Sequence, residues 1–242
     1  MYFSFFPTIL YDINRDGNPQ NVPLITAFTS IDTKLTDDIT YYSFYDIQDG
    51  DRPDNVSQKL YDTPNHYWTF FVVNAHLKNS YNDWPKGNAF FSEWVDSKYS
   101  NLAAITQATV TAEDNIFGKF NIGETVTGQL SGATGTVVRK YPTLGFIEIQ
   151  PSTGTFNPAG EGILGITTQD SLTAASIVKK SLAPHHHIDN STKERTKRRV
   201  AGTSPVTFFQ YEQERELKNS RIKVIKPALI QSVIDDFRRE MK

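Results

Sequence analysis

The sequence predicts an α+β protein, and three observations carry that prediction. A β-branched and aromatic stretch, "ITYYSFYDI" (39–47), is followed by two short helical segments. A block at 116–180 is rich in Gly, Thr and Val and reads as short alternating strands between turns. The last stretch, 205–242, holds a short strand and then an amphipathic helix. The expected division is a mixed segment over 1–102, a small all-β barrel or sandwich over 116–180, a polar linker over 181–204, and a C-terminal strand and helix over 205–242.

Taking the elements in order, "ITYYSFYDI" has the residue types of a strand, and "DG" at 49–50 turns the chain after it. Pro53 suits the first turn of a helix, because its missing N–H has no partner there in any case. Asp54 favours the same turn through the helix dipole. Val56 and Leu60 stand four residues apart and form the buried edge of this helix. Thr63 is placed to cap a second helix with Pro64 at its first position. In that helix Trp68, Phe71 and Val72 share a face, which Tyr67 and Phe70 widen. Phe71 and Val72 are expected in the core, with Tyr67 and Trp68 open to either core or binding roles. "GNAFFSEWVDSKYSN" (87–101) suggests a further short amphipathic helix.

The β-rich block holds a weak internal repeat. "FNIGETVTG" (120–128) returns as "FNPAGEGILG" (156–165) with one residue inserted. Two copies are too few for a solenoid and fit two equivalent corners of one small barrel. "TVVRKYPTLGFIEIQP" between them reads as a hairpin. At the C-terminus "RIKVIKP" (221–227) is a strand ended by Pro227. Ile230, Val233, Ile234, Phe237 and Met241 then mark one face of a helix that needs a surface to dock on.

Composition narrows the function. The chain has 242 residues, a net charge of −2 and no Cys. Disulfides, thiolate nucleophiles and Cys-ligated zinc are therefore excluded. So slight a charge provides no general attraction to nucleic acid. The first residues, "MYFSFFPTILYDINRDG", lack the basic start and long apolar run of a signal peptide. No run approaches the ~20 apolar residues of a membrane span, and a soluble chain is expected.

Catalytic patterns are sparse. There is no Gly-x-Ser-x-Gly elbow and no HExxH, and "SGATGTV" (131–137) lacks the P-loop lysine. Glu124 and Glu161 could suggest paired carboxylates, but they occupy equivalent repeat positions beside turn glycines, which favours a structural role. "KERTKRR" carries five basic residues over 193–199, without the interleaved aromatics of a nucleic-acid arm, and reads as a solvated linker or a salt-bridging surface for an acidic neighbour. His185 and His187 are weak metal candidates, since an extended strand would point both to one side. The competing reading is a polar edge or a pH-sensitive contact. No cofactor is expected.

The stretch "RPDNVSQKLYDTPNHYWTFFVVN" (52–74), preceded by "ITYYSFYDI", resembles a LysM-like module of strand, two short helices and return strand. Its wording of "RP", "LY", "P", "YW" and a closing Asn resembles the baseplate wedge proteins of contractile-tailed phages that contain such a module. "YFSFFPTILYDI" and "YEQERELKNSRIKVIKPALIQSVIDDFRREM" resemble the two ends of that family. "GETVTGQLSGATGTVV" is similar to a small β-module of phage tail proteins, here inserted between them. The resemblance implies a structural virion protein of the tail baseplate, not an enzyme, made in the host cytoplasm. Such a subunit joins neighbouring wedges into the ring around the hub. The implied partners are wedge core subunits, the sheath-initiating protein with a lysozyme-like fold, and neighbouring wedges, with no nucleic acid and no membrane span. By matching position, Arg52, Pro53, Leu60, Tyr61, Pro64, Tyr67, Trp68 and Asn74 are the interface or module-defining residues. Ile230, Val233, Ile234 and Phe237 form a second candidate interface. The alternative is a glycan-binding module of LysM type that holds peptidoglycan.

Overall fold

The computed structural model describes residues 6–24, 38–106 and 116–240. In chain order β1 (Thr8–Tyr11), β2 (Gln20–Pro23) and β3 (Tyr42–Asp46) precede the helices α1 (Pro53–Tyr61), α2 (Trp68–Val73) and α3 (Asn88–Lys98). Then come β4 (Leu102–Thr106), β5 (Thr125–Gly128), β6 (Thr134–Tyr141), β7 (Phe146–Thr153), β8 (Gly162–Gly165) and β9 (Ser171–Lys179). β10 (Pro184–Asp189), β11 (Arg195–Thr196) and β12 (Thr203–Thr207) lead to α4 (Phe208–Asn219), β13 (Arg221–Ile225) and α5 (Ile230–Glu240). The mixture is the expected α+β. Contacts divide it into two units: Met1–Asn88 with Glu216–Lys242, and Ala89–Arg215.

The first unit is built on an antiparallel pair from distant parts of the chain. β13 lies against β3 with Arg221 opposite Asp46 and Ile225 opposite Tyr42. Alternation along β13 sends Ile222 and Val224 to one side, where they meet Val56, Phe70, Leu77 and Trp84 in one buried cluster. Ile225 joins Phe6, Trp68, Val73 and the α5 residues Ile230, Ile234 and Phe237 in a second cluster. The spacing of those α5 residues is the face read from the sequence, with Val233 half-buried beside them; Met241 lies outside the described residues. Arg238 and Arg239 sit in the last turn of α5, where cations suit the negative end of the helix dipole. β1 and β2 form a separate hairpin, turned by Asp12, whose carboxylate accepts from the N–H of Asp16 and Gly17.

The second unit contains a closed barrel with strand order β4-β7-β6-β5-β8-β9. Val126, Val137, Ile147, Ile149, Ile163 and Leu172 are among the side chains that fill it. The repeat seen in the sequence is a pseudo-two-fold. Thr125, Val126 and Thr127 pair with Thr136, Gly135 and Thr134, and Gly162, Ile163 and Leu164 pair with Thr173, Leu172 and Ser171. The two copies meet where β5 and β8 run antiparallel, Val126 opposite Gly165 and Gly128 opposite Ile163. The hairpin around Pro142–Leu144 forms as read, with Gly145 in the left-handed region at φ 77°.

Two features differ from the expected layout. The barrel takes a strand, β4, from before residue 116, because the fully buried Ala103 and Ala104 fit between β7 and β9. The stretch 181–204, expected as a linker, carries β10 and β11, which form a three-stranded sheet with β12 in the order β11-β10-β12. Its polar composition hid a strand whose inward residues are histidines.

Candidate functional site

The motif at 52–74 builds a frame in the first unit. Arg52 is extended at φ −95°, ψ 153°, and Pro53 starts α1 behind it. Asp62 turns the chain at φ 56° in the left-handed region and ends the helix. The Thr63 hydroxyl accepts from Asn65 N–H, as expected of a cap, but the helix it caps is a single 3-10 turn, Pro64–His66, and α2 begins only at Trp68. Fully buried Ser57 ties the two helices: its hydroxyl donates to Thr63 O at 2.7 Å and accepts from His66 N–H at 3.2 Å. Tyr61 donates to Ile225 O at 2.9 Å and fixes α1 to the end of β13.

Asp51 anchors the start of the motif. Its carboxylate accepts from Tyr45 OH at 2.8 Å, Gln48 N–H and Lys59 Nζ, and its carbonyl accepts from the Trp84 indole at 2.7 Å. Burial, with the bond to Asp51, pushes the Tyr45 hydroxyl up to about 12. Asn74 closes the motif. Its amide nitrogen donates to Phe70 O and Lys223 O, and its amide oxygen accepts from Lys223 N–H, each at 2.8 Å. A side-chain amide here does the work of one strand residue along the outer edge of β13.

The expected site residues separate by burial. Pro53, Trp68, Asn74, Ile230, Ile234 and Phe237 are buried within the chain, and Leu60, Tyr61, Tyr67 and Val233 are half-buried. Arg52 and Pro64 are exposed. The Trp68 and Phe237 rings lie 4.7 Å apart, so the motif and the C-terminal helix pack on each other. The helix face also differs from the reading of the sequence: Trp68, Phe70 and Val73 are buried, while Phe71 and Val72 are half-buried.

A surface cluster remains around the start of α1. Tyr81, 54% exposed, lies 6.2 Å from Tyr67 and 5.8 Å from Phe71 by ring centroid. Arg52 and Asp54 border it. Partial burial, then Tyr67 and Asp54, push the Tyr81 hydroxyl up, with Arg52 opposing. The reading of the sequence missed Tyr81. Its signal was an aromatic alone among polar residues, "NSYND". Tyr and Arg at the rim of a half-buried aromatic group are the residue types of protein-binding hot spots.

The histidine run, read from the sequence as at most a weak metal candidate, lies in β10. A bulge at His185 breaks the pairing of β10 with β12 between Pro184 and His186. His185 stacks on Tyr211 at 3.9 Å, while His187 Nδ1 meets the Thr203 hydroxyl at 3.0 Å. Among the described residues no group of three His, Asp or Glu side chains is placed to hold a metal, and no helix is long and apolar enough to cross a membrane.

Comparison with known proteins adds one finding. A family model described as base plate wedge protein 53 matches residues 1–124. No curated protein matches the chain. The match contains β3, α1 and α2, including the whole motif from Arg52 to Asn74, and stops before β5. The chain belongs to the base plate wedge protein 53 family and is a structural component of the phage tail baseplate, acting among other baseplate proteins.

Proposed function

We propose that the chain is a wedge subunit without catalytic activity that joins neighbouring wedges into the ring around the tail hub. Its partners in this reading are wedge core subunits, the sheath-initiating protein with a lysozyme-like fold, and neighbouring wedges, met after folding in the host cytoplasm. It uses no cofactor and binds no nucleic acid. The observation that carries the reading is the family match across the motif. The strand, helix, helix, strand order of β3, α1, α2 and β13 supports a LysM-like module. The contacting surface in this reading is the cluster of exposed Arg52 and Tyr81 with half-buried Tyr67 and Phe71, rather than the buried members of the motif.

The test is complementation of a phage that lacks this chain, using an Arg52→Ala/Tyr81→Ala double variant, both exposed positions. Loss of a hot spot of about 2 kcal/mol weakens binding about thirtyfold. Purified tails are expected to hold far less of the variant than of the unaltered chain, while its thermal midpoint changes little. Wild-type incorporation of the variant would remove the cluster from the interface. Binding of the isolated chain to peptidoglycan, abolished by Tyr81→Ala, would favour the glycan module instead.

A further inference from the structure

The second unit holds three consecutive histidines whose hydrogen bonds fix their protons. Thr203 has one hydroxyl proton and donates it to Val200 O at 2.7 Å. Toward His187 the same oxygen can only accept, so His187 carries its proton on Nδ1 and leaves Nε2 bare. His187 is 3% exposed, and this Nε2 is buried with no hydrogen-bond partner. The bulge brings His185 Nδ1 within 3.0 Å of His186 Nδ1, a contact that has room for a single proton. Nε2 of His186, also 3% exposed, is buried without a partner. A bare lone pair costs less there than an unmet N–H, so His186 donates from Nδ1 and its Nε2 is bare as well.

We propose that this histidine clasp is an acid-sensitive switch that holds the β11-β10-β12 sheet closed only while all three imidazoles are neutral. A second proton on His186 or His187 would create a buried cationic N–H with no acceptor. A second proton on His185 would set two N–H groups against each other at 3.0 Å. Of the charges around the clasp, Glu212 favours a proton on His185 and Glu214 one on His186. Arg195, Lys197 and Arg199 oppose protonation. Glu212 is already engaged by Lys98, Tyr99 and Arg215, and Glu214 by Arg195. On the α4 side the Tyr211 ring stacks on His185. Burial, the largest cause for each, pushes all three imidazoles below the ordinary histidine value.

A base held below its unfolded value contributes full stability above that value, near pH 6.5, and loses it as pH falls. At pH 5 each imidazole kept neutral in the closed sheet costs about thirtyfold in the closing equilibrium. Exchange of the β10 and β12 amides is to be followed in the full chain between pH 8 and pH 5, corrected for intrinsic exchange, together with imidazole 15N shifts. Protection of β10 and β12 is expected to fall, by up to about thirtyfold for each imidazole that stays neutral, while the barrel amides of β5 and β8 keep theirs. His186 and His187 are expected as Nδ1–H tautomers at pH 8. A His186→Asn/His187→Asn variant keeps a donor in the Nδ1 position and is expected to lose most of the pH dependence, His185 alone remaining to titrate. Unchanged protection at pH 5, Nε2–H tautomers at pH 8, or an equal loss of protection in the folded variant would each overturn the switch. If the variant does not fold, the tautomers and exchange of the unaltered chain decide alone.

Discussion

Asn74 shows how much one residue of the motif carries. Its amide satisfies both the N–H and the C=O of Lys223 on an edge that no strand covers among the described residues. Asn74→Ala leaves two part-buried backbone groups unmet, and urea unfolding is expected to register a loss of about 2–4 kcal/mol. Asn74→Asp does not rescue it, since its second oxygen would face the carbonyls of Phe70 and Lys223. Trp68 and Tyr81 make a second contrast. Trp68, 3% exposed, is a core residue, and Trp68→Ala is expected to cost about 3–5 kcal/mol. Tyr81→Ala, at an exposed position, is expected to stay within about 0.5 kcal/mol. Denaturation of both variants checks which aromatics are core. The sequence made the aromatic motif visible but not its division into core and surface. Six residues of α2 make fewer than two turns, and the start of that helix, set by the 3-10 turn before it, decides which side chains face inward.

At the scale of elements, the repeated Gly-Glu-x-Val/Ile-x-Gly is a reciprocal lock. Glu161 of the second copy accepts from Leu130 and Ser131 N–H in the first copy's turn, and Glu124 of the first accepts from Thr167 and Thr168 N–H in the second's. The closing glycines make room for these carboxylates. A Cβ on Gly165 would stand 2.6 Å from Glu124 Oε1, and one on Gly128 would stand 2.5 Å from Ser131 Oγ and 3.1 Å from Glu161 Oε1. Gly128→Ala and Gly165→Ala are each expected to cost about 1–3 kcal/mol in thermal unfolding. Burial pushes both carboxyls up, and the surrounding N–H groups outweigh it, so both titrate below the ordinary glutamate value. Their contribution is therefore full above about pH 4.5 and is lost as pH falls through the native values. The barrel's acid limb is expected below that of the histidine clasp, and Glu161→Gln should flatten it in an acid titration followed by circular dichroism. The repeat was legible because it is local. The closing strand was not: "LAAIT" lies before the β-rich block, and only the gap between β7 and β9 calls for its small buried residues.

At the scale of the whole chain, the sequence order conceals which parts belong together. The first unit takes α1 and α2 from residues 53–73 but β13 and α5 from 221–240, with all of Ala89–Arg215 between them. Hydrophobic periodicity identified β13 and α5 as elements, but no local pattern says that Ile222 and Val224 meet Val56 and Phe70. The family match stops at residue 124, so the matched segment lacks half of its own core. Loop closure over so long a separation costs only slightly more than over a short one, because the cost grows with the logarithm of loop length. The burial of Ile222, Val224, Ile225, Ile230, Ile234 and Phe237 outweighs it at about 1.5–3 kcal/mol for each large apolar side chain. A chain ending at Arg215 loses all of that burial. It is expected to unfold the first unit, with tryptophan emission shifted to the red as Trp68 and Trp84 meet water, while the β5 and β8 amides of the barrel remain protected from exchange. Adding residues 216–242 back as a separate peptide should restore the blue emission at saturating concentration. Blue-shifted, protease-resistant Trp68 and Trp84 in the truncated chain without the peptide would show that the first unit folds without its return strand.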